Sequence, residues 1–525
     1  MKIRNFPLVC YLVCIISLNT QAQNKTDLPV GFEQYMDSIL TVFNVPGISL
    51  AIVKDGNILK AGGYGVKKLG EHNPVDAHTL FSIASNTKAF TAAALEILVE
   101  DKKLKWDDPV INYLPWFKMS DPWVTAEFSV RDLLVHHSGI PGFAGDILIF
   151  PPSEYSRKEI VSKLKLIPLV HSFRTTYAYD NILYLAAGEL IKSVSGMEWE
   201  DFVKQRIFDQ LGMAESISRF SDFKTQNNIA SAHSPVLGKI EVDNAFFDQA
   251  VGDAGNPAGG IASNAVDMSK WLIAQLDSGR GNNGKSIFQP KAIKELWRMV
   301  TPTPITKTPI EIWPSQTNFS GYALGVKTYQ YGKYELIGHG GKLDGFVSQV
   351  VLVPALKLGI AVLTNQESTG AYWAVIYHLL DFYMQNPKFN WIEGYKKLLD
   401  SSIEKSKKEY AQSIIPKKVN IIMNINDSQI IGNYHDAFYG DASIVKQGSK
   451  LILQFSQTPQ FVADLIPFQY QSYYAKFRNT TLRADAYVSF SLSPDGKVAQ
   501  FQIRIIDPDS DINFDELLFK PVKNK

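Results

Sequence analysis

The chain has 525 residues, 53 Lys and Arg against 52 Asp and Glu for a formal net charge of +1, and is 45% hydrophobic and 12% aromatic. That balance lacks the basic excess of a nucleic-acid binder, and the apolar fraction suffices for a packed core without a disulfide framework. At the start, Lys2 and Arg4 precede an apolar run over 8–18 and then Thr20-Gln21-Ala22, the pattern of a secretory signal peptide. The run is shorter than the roughly 20 residues a helix needs to cross a bilayer. Cleavage after Ala22 predicts an exported protein, periplasmic or secreted, with no stable membrane anchor. It would leave 51 cations against 52 anions and remove Cys10 and Cys14, the only cysteines. Val13 before Cys14 is too bulky for the usual lipidation pattern.

Segments 47–53 and 58–63 flank Asp55-Gly56 and read as a β-hairpin. Mostly helical stretches follow at 87–100, 181–195, 198–210 and 264–276. Strand-like segments return at 322–331, 334–338, 346–353 and 358–364, before a helix at 371–384. The economical arrangement is α/β: early hairpin and late strands share one antiparallel sheet flanked by helices, with the helical region as an insertion. A lysine-rich amphipathic helix at 391–412 ends at Pro416-Lys417-Lys418. Short strands at 442–445, 450–455, 486–492 and 498–505, with a turn at Pro494-Asp495-Gly496, then predict a small all-β domain. The expected divisions are a signal peptide over 1–22, a catalytic domain over 28–385, a linker over 386–424 and a β-domain over 425–525.

Three motifs carry chemistry. Ser85-Asn86-Thr87-Lys88 opens the small-residue helix 87–100. A spacing of three brings Lys88 over Ser85 on one helix face, and the helix N-terminus favours negative charge on the serine oxygen. A buried lysine loses its proton more readily and becomes a base. Ser-x-x-Lys also occurs at Ser162, Ser221, Ser402 and Ser443, so spacing alone selects nothing. Ser85 is set apart by the apolar Phe81 to Ala84 before it and the small-residue helix after it.

Tyr179-Asp180-Asn181 is the only Tyr-x-Asn. A phenolate beside an ammonium can shuttle the serine proton to a leaving group, while the Asn181 amide is able to bind a substrate amide or Lys88. Packing of Tyr177, Tyr179 and Tyr184 as plain aromatics is the competing reading. His339-Gly340-Gly341-Lys342 lies between the segments 334–338 and 346–353, and its glycines admit close approach of a ligand. The other His-x-Gly, His137-Ser138-Gly139, falls in a loop. None of the nine histidines belongs to a zinc pattern, and no metal or cofactor is expected.

Together Ser85-x-x-Lys88, Tyr179-x-Asn181 and His339-x-Gly341, in that order, resemble the serine β-lactamase-related family of class C β-lactamases, DD-carboxypeptidases, D-aminopeptidases and esterases. The stretches Leu133 to Gly142 and Pro257 to Ser263 are similar too, and the likeness spans roughly 30–385. It implies Ser85 as the acylated nucleophile, with Lys88 and Tyr179 sharing the acid and base roles. It also implies Asn181, Gly340 and Gly341 as substrate contacts, His339 on the opposite wall, and the N–H groups of Ser85 and Lys342 as the oxyanion hole.

The chain has no Lys-Thr-Gly, which class C β-lactamases carry in the third motif. Histidine there resembles the D-aminopeptidase branch; a lysine is a permanent cation suited to a substrate carboxylate, whereas histidine titrates from an ordinary pKa of about 6.5 and can also act as a base. The expected reaction is hydrolysis of a peptide, amide or ester, D-residues included. The alternatives are a β-lactamase or DD-carboxypeptidase, and a penicillin-binding sensor without turnover. The partner is a small-molecule or peptide substrate, with no nucleic acid, and the oligomeric state is left open. The C-terminal part more weakly resembles lipocalin-like or barrel domains appended to some relatives.

Overall fold

In the computed structural model the described residues are 28–236, 239–414, 422–508 and 510–522. The expected leader and Pro416-Lys417-Lys418 lie outside them. Two antiparallel sheets organise the chain. The first takes β1 (Gly47–Lys54) and β2 (Asn57–Gly65) from the early part, then β3 (Thr301–Pro302), β4 (Ser320–Tyr322), β5 (Lys327–Tyr331), β6 (Tyr334–Leu343), β7 (Phe346–Val353) and β8 (Leu358–Thr364). Its order is β2-β1-β8-β7-β6-β5-β4-β3. β1 and β8 pair from Ile48↔Thr364 to Lys54↔Leu358, so the early hairpin and late strands share one sheet and the helical region is an insertion between them.

The central strands β1, β7 and β8 are buried on both faces, which their nearly unbroken apolar sequences require. On one face Ile48, Leu50 and Ile52 join Leu358, Ile360 and Val362 under α1 (Phe32–Phe43) and a late helix, Thr369–Met384. Alternate residues Ala51, Val53, Ala361 and Leu363 point into the larger core below the inserted helices. The chief ones are α2 (Thr87–Glu100), α3 (Ile182–Ser195) and α4 (Ala265–Leu276). In chain order Thr369–Met384 becomes α5 and the long Trp391–Ser413 becomes α6.

α2 is buried almost all round, including Lys88 and the run Ala92-Ala93-Ala94. An amphipathic stripe is therefore absent, as befits a central helix. Small residues let α3 approach, and Phe90 stacks on Trp271 of α4 at 3.9 Å. The helix expected over 198–210 is α-helical only at Trp199–Val203 and Asp209–Leu211, with a π-helical turn at Lys204–Phe208 between.

Two strand expectations change. The single strand expected at 322–331 is broken: Gly325 adopts φ 77° and seats against Lys88, where a Cβ would come 2.5 Å from the Lys88 carbonyl oxygen. The strand expected to stop at 338 runs through His339-Gly340-Gly341-Lys342 to Leu343, paired with β7 from Ile337↔Leu352 to Leu343↔Phe346. Its glycines admit close approach, but of the protein's own backbone and side chains: a Cβ at Gly341 would meet Ile83 O and one at Gly340 would meet Gln349 Oε1.

The C-terminal sheet comprises β9 (Gly432–Asp436), β10 (Gly440–Gln447), β11 (Lys450–Phe455), β12 (Val462–Gln469), β13 (Ser472–Phe477), β14 (Ala486–Leu492), β15 (Val498–Ile505) and β16 (Lys520–Pro521). The order β15-β14-β13-β12-β11-β10-β9-β16 is an up-and-down meander. Reciprocal bonds between Phe501 and Phe519, of 2.9 and 3.1 Å, bring its ends together, making a separate all-β near-barrel filled by Phe455, Phe461, Phe514 and Phe519. Among the described residues no helix is long and apolar enough to cross a membrane.

Candidate active site

The three motifs meet where α2 begins, beneath β6. Chain leaving the short strand Phe81–Ser82 turns through Ala84 at φ 46° and a 3₁₀ turn, Ala84–Asn86, into α2. A non-glycine residue in the left-handed region is strained and persists only when its neighbours fix it. Here Ile83 N–H donates to Ile261 O at 3.0 Å, and Ser348 Oγ, donating to Ile83 O at 2.7 Å, accepts from Asn86 Nδ2 at 2.8 Å. The turn leaves Ser85 half-buried at the helix start and Lys88 wholly buried one turn on.

Lys88 Nζ lies 3.2 Å from Ser85 Oγ, 2.7 Å from Asn181 Oδ1 and 2.9 Å from Ala258 O. The Tyr179 and Tyr184 rings flank it, centroids at 4.8 and 5.1 Å. Burial lowers its pKa from 10.5 to about 7, against the pull of the Asp146 charge. Asn181 has a fixed orientation: Oδ1 accepts from Lys88, and Nδ2 donates to Asp146 Oδ2 at 2.8 Å. Burial pushes the Asp146 carboxyl up to about 7, and its Oδ1 has no hydrogen-bond partner among the described residues.

The Tyr179 hydroxyl faces the Ser85 side chain, and burial raises its pKa well above 10. The group is a neutral phenol rather than the phenolate the motif suggested. His136, at φ 57°, braces it with ring centroids 4.2 Å apart. His136 Nδ1 accepts from the Asp180 backbone N–H at 3.0 Å, and burial with the Lys88 charge keeps the ring neutral.

His339 closes the opposite wall. Its Nδ1 is 2.5 Å from Gly340 O and its Nε2 2.8 Å from the Tyr322 hydroxyl. A carbonyl only accepts, so Nδ1 carries the hydrogen and the Nε2 lone pair receives Tyr322 O–H. Burial, then the charges of Lys88 and Lys327, push its pKa down to about 3. The expected titrating base is thus a neutral ring whose lone pair is engaged. Past Gly338, β6 has β7 on one side and no partner strand on the other; the nucleophile turn packs there. A Cβ at Gly341 would come 2.2 Å from Ile83 O, and one at Gly340 2.8 Å from Gln349 Oε1.

The family model for Beta-lactamase matches residues 32–382, and that for the domain of unknown function DUF3471 matches 428–521. The chain belongs to the Beta-lactamase family. It is a serine hydrolase of that family. A relative is the unguisins hydrolase ungD' of Aspergillus campestris, 28% identical over 501 residues that cover 89% of this chain and 88% of that protein. In fold the chain is similar to the octameric penicillin-binding protein homologue from Pyrococcus abyssi (TM-score 0.55, 20% identity, 94% of this chain and 100% of that one). It is similar also to the D-amino acid amidase from Ochrobactrum anthropi SV3 complexed with D-phenylalanine (TM-score 0.53, 23% identity, 67% and 99%).

On this Beta-lactamase framework all the expected side chains converge: Ser85, Lys88, Tyr179, Asn181 and His339. Lys342 follows Gly341 in β6, paired with Val347, and its ammonium pairs with Asp511 at 2.7 Å. Three residues at the site escaped the motif reading: Asp146, His136 and Tyr322. His136 stood inside the family-like stretch Leu133 to Gly142, which was the available signal; Asp146 and Tyr322 had none. Among the described residues no group of three or more His, Cys, Asp or Glu is placed to hold a metal.

Proposed function

We propose that the protein is an exported hydrolase that forms an acyl-enzyme on Ser85 with peptides, amides or esters, D-residue substrates included. The coordination of Lys88 carries this reading. A neutral amine has two hydrogens and one lone pair. With the hydrogens given to Asn181 Oδ1 and Ala258 O, the lone pair is left for the Ser85 hydroxyl at 3.2 Å. Lys88 then takes the Ser85 proton as the Oγ–carbon bond forms, and the N–H groups of Ser85 and Lys342 stabilise the oxyanion. The proton passes to the leaving nitrogen or oxygen, with Tyr179 in reach as a phenol relay, and the scissile bond breaks. Water attacks the ester with Lys88 again as base, restoring Ser85.

The substrate class follows from His339. A neutral imidazole pushed to about 3 offers a substrate carboxylate no positive charge, which favours uncharged amides and esters over β-lactams. The fold neighbour named as a D-amino acid amidase supports an amide substrate, and the relative named as an unguisins hydrolase supports hydrolysis. The test is a fluorophosphonate mass adduct on Ser85, absent in Ser85→Ala, with a turnover panel of D- and L-aminoacyl amides, short esters, a penicillin and a cephalosporin. Adduct formation with amide or ester turnover is expected. Cephalosporin turnover far above every amide and ester overturns the substrate class, and stable acylation with no turnover overturns the hydrolase reading in favour of a sensor.

A further inference from the structure

Two segments beside the catalytic groups, β6 at Lys342 and the turn at Gly145 before Asp146, are far apart in sequence, and the C-terminal near-barrel touches both. At the first, Asp511 Oδ2, from the loop after β15, accepts from Lys342 Nζ at 2.7 Å, and Glu367 Oε2 stands 3.7 Å from the same ammonium. At the second, Phe438, in the turn between β9 and β10, lies against Gly145: a Cβ there would be 3.7 Å from the Phe438 ring. Lys163 Nζ fixes that turn by donating to Phe438 O at 2.6 Å. The seam continues through Gln249 to Thr481 at 2.7 Å and Gln460 to Asp248 O at 2.7 Å. Asp511 also bears electrostatically on Asp146, whose carboxylate holds Asn181 beside Lys88, so its charge is felt at the catalytic groups.

Within the third motif His339 is neutral and inward. Lys342 is half-exposed and within the same strand, the natural partner for a substrate carboxylate. It faces Asp511 and Glu367 instead, with Asp344 beside them. An exposed ion pair of this kind adds little stability; its consequence is where the ammonium goes and what charge the site presents. Building on the hydrolase reading above, we propose that Asp511 is a specificity-determining residue: it holds Lys342 against the near-barrel, so the site selects substrates without a carboxylate at that end. The C-terminal domain thereby belongs to the substrate site.

Asp511→Asn in the full chain tests this, at a side chain 59% exposed. The probes are an ester substrate bearing a free carboxylate and its methyl-esterified twin. The kcat/KM ratio of the carboxylate form to the neutral twin is expected to rise about tenfold at low salt, and to fall back at about 1 M NaCl, where screening shortens to ~3 Å. The neutral twin stays within about twofold of wild type, and Lys342→Met/Asp511→Asn returns the ratio to the wild-type value. Acetylation of Lys342 by an N-hydroxysuccinimide ester, read by peptide mass spectrometry, should quicken several-fold in Asp511→Asn. An unchanged ratio, a raised ratio that survives in the double variant, or unchanged labelling of Lys342 overturns the proposal. Labelling needs no turnover, so a protein that hydrolyses neither twin refutes the hydrolase reading while the Lys342–Asp511 pairing is still decided.

Discussion

Asp146→Asn is the sharpest probe of the proton acceptor. Asparagine keeps an oxygen for Asn181 Nδ2, now 2.8 Å from Asp146 Oδ2, so the amide stays oriented while the negative charge goes. That charge raises the pKa of Lys88, which burial otherwise depresses to about 7. Removing it lowers the Lys88 pKa further, and the neutral, reactive amine persists to more acidic pH. An opposite charge nearby shifts a pKa by about one unit or more. Asp146 is itself pushed up to about 7, so its charge is largely lost at pH 6 and half present at pH 7; there the neutral fraction of Lys88 rises from about half to about nine tenths, and acylation at pH 7 relative to its alkaline plateau rises about 1.8-fold. The assay is the second-order rate of fluorophosphonate capture of Ser85 from pH 5 to 9, with the adduct mapped by mass spectrometry. A midpoint that stays in place or moves to higher pH refutes Lys88 as the base tuned by Asp146.

Side-chain ¹⁵N spectra should show His339 as the single Nδ1–H tautomer with no titration between pH 5 and 8, since its pKa is pushed down to about 3. Tyr322→Phe removes the donor to Nε2 and leaves a buried lone pair unpaired, which costs about 1–3 kcal/mol, read as a lower urea midpoint and a shifted Nε2 resonance. Gly341→Ala places a methyl 2.2 Å from Ile83 O. It should displace the nucleophile turn and cut Ser85 acylation about 100-fold or more, while far-ultraviolet circular dichroism stays that of the wild type.

What the sequence makes legible is what lies close along the chain. Ser85 and Lys88 are one helical turn apart, so their contact follows from spacing, and the alternation of β1 and β8 follows from faces that both meet apolar cores. The environment that gives those residues their chemistry is assembled across long separations. Asp146 reaches Lys88 through Asn181, 35 residues away, from a 3₁₀ turn with no periodicity to mark it. Tyr322 reaches His339 only because Gly325 breaks an apparently continuous strand against the back of Lys88.

The third motif shows the same limit from the other direction. Histidine, named by type, reads as a titrating base, and Lys342 is read only for its backbone N–H. Tyr322 and burial make the first a neutral ring, and Asp511, 169 residues on and in another domain, pairs with the ammonium of the second. Residue type gives a group's ordinary pKa; partners and desolvation decide its charge. Lys342 keeps Glu367 at 3.7 Å and Asp344 beside it when Asp511 is replaced, so the substrate class is tested by removing one negative charge at the site rather than by adding a positive one. Asp511→Asn does so without touching the strand that lines the nucleophile, so a gain for carboxylate substrates there cannot be attributed to a rebuilt site.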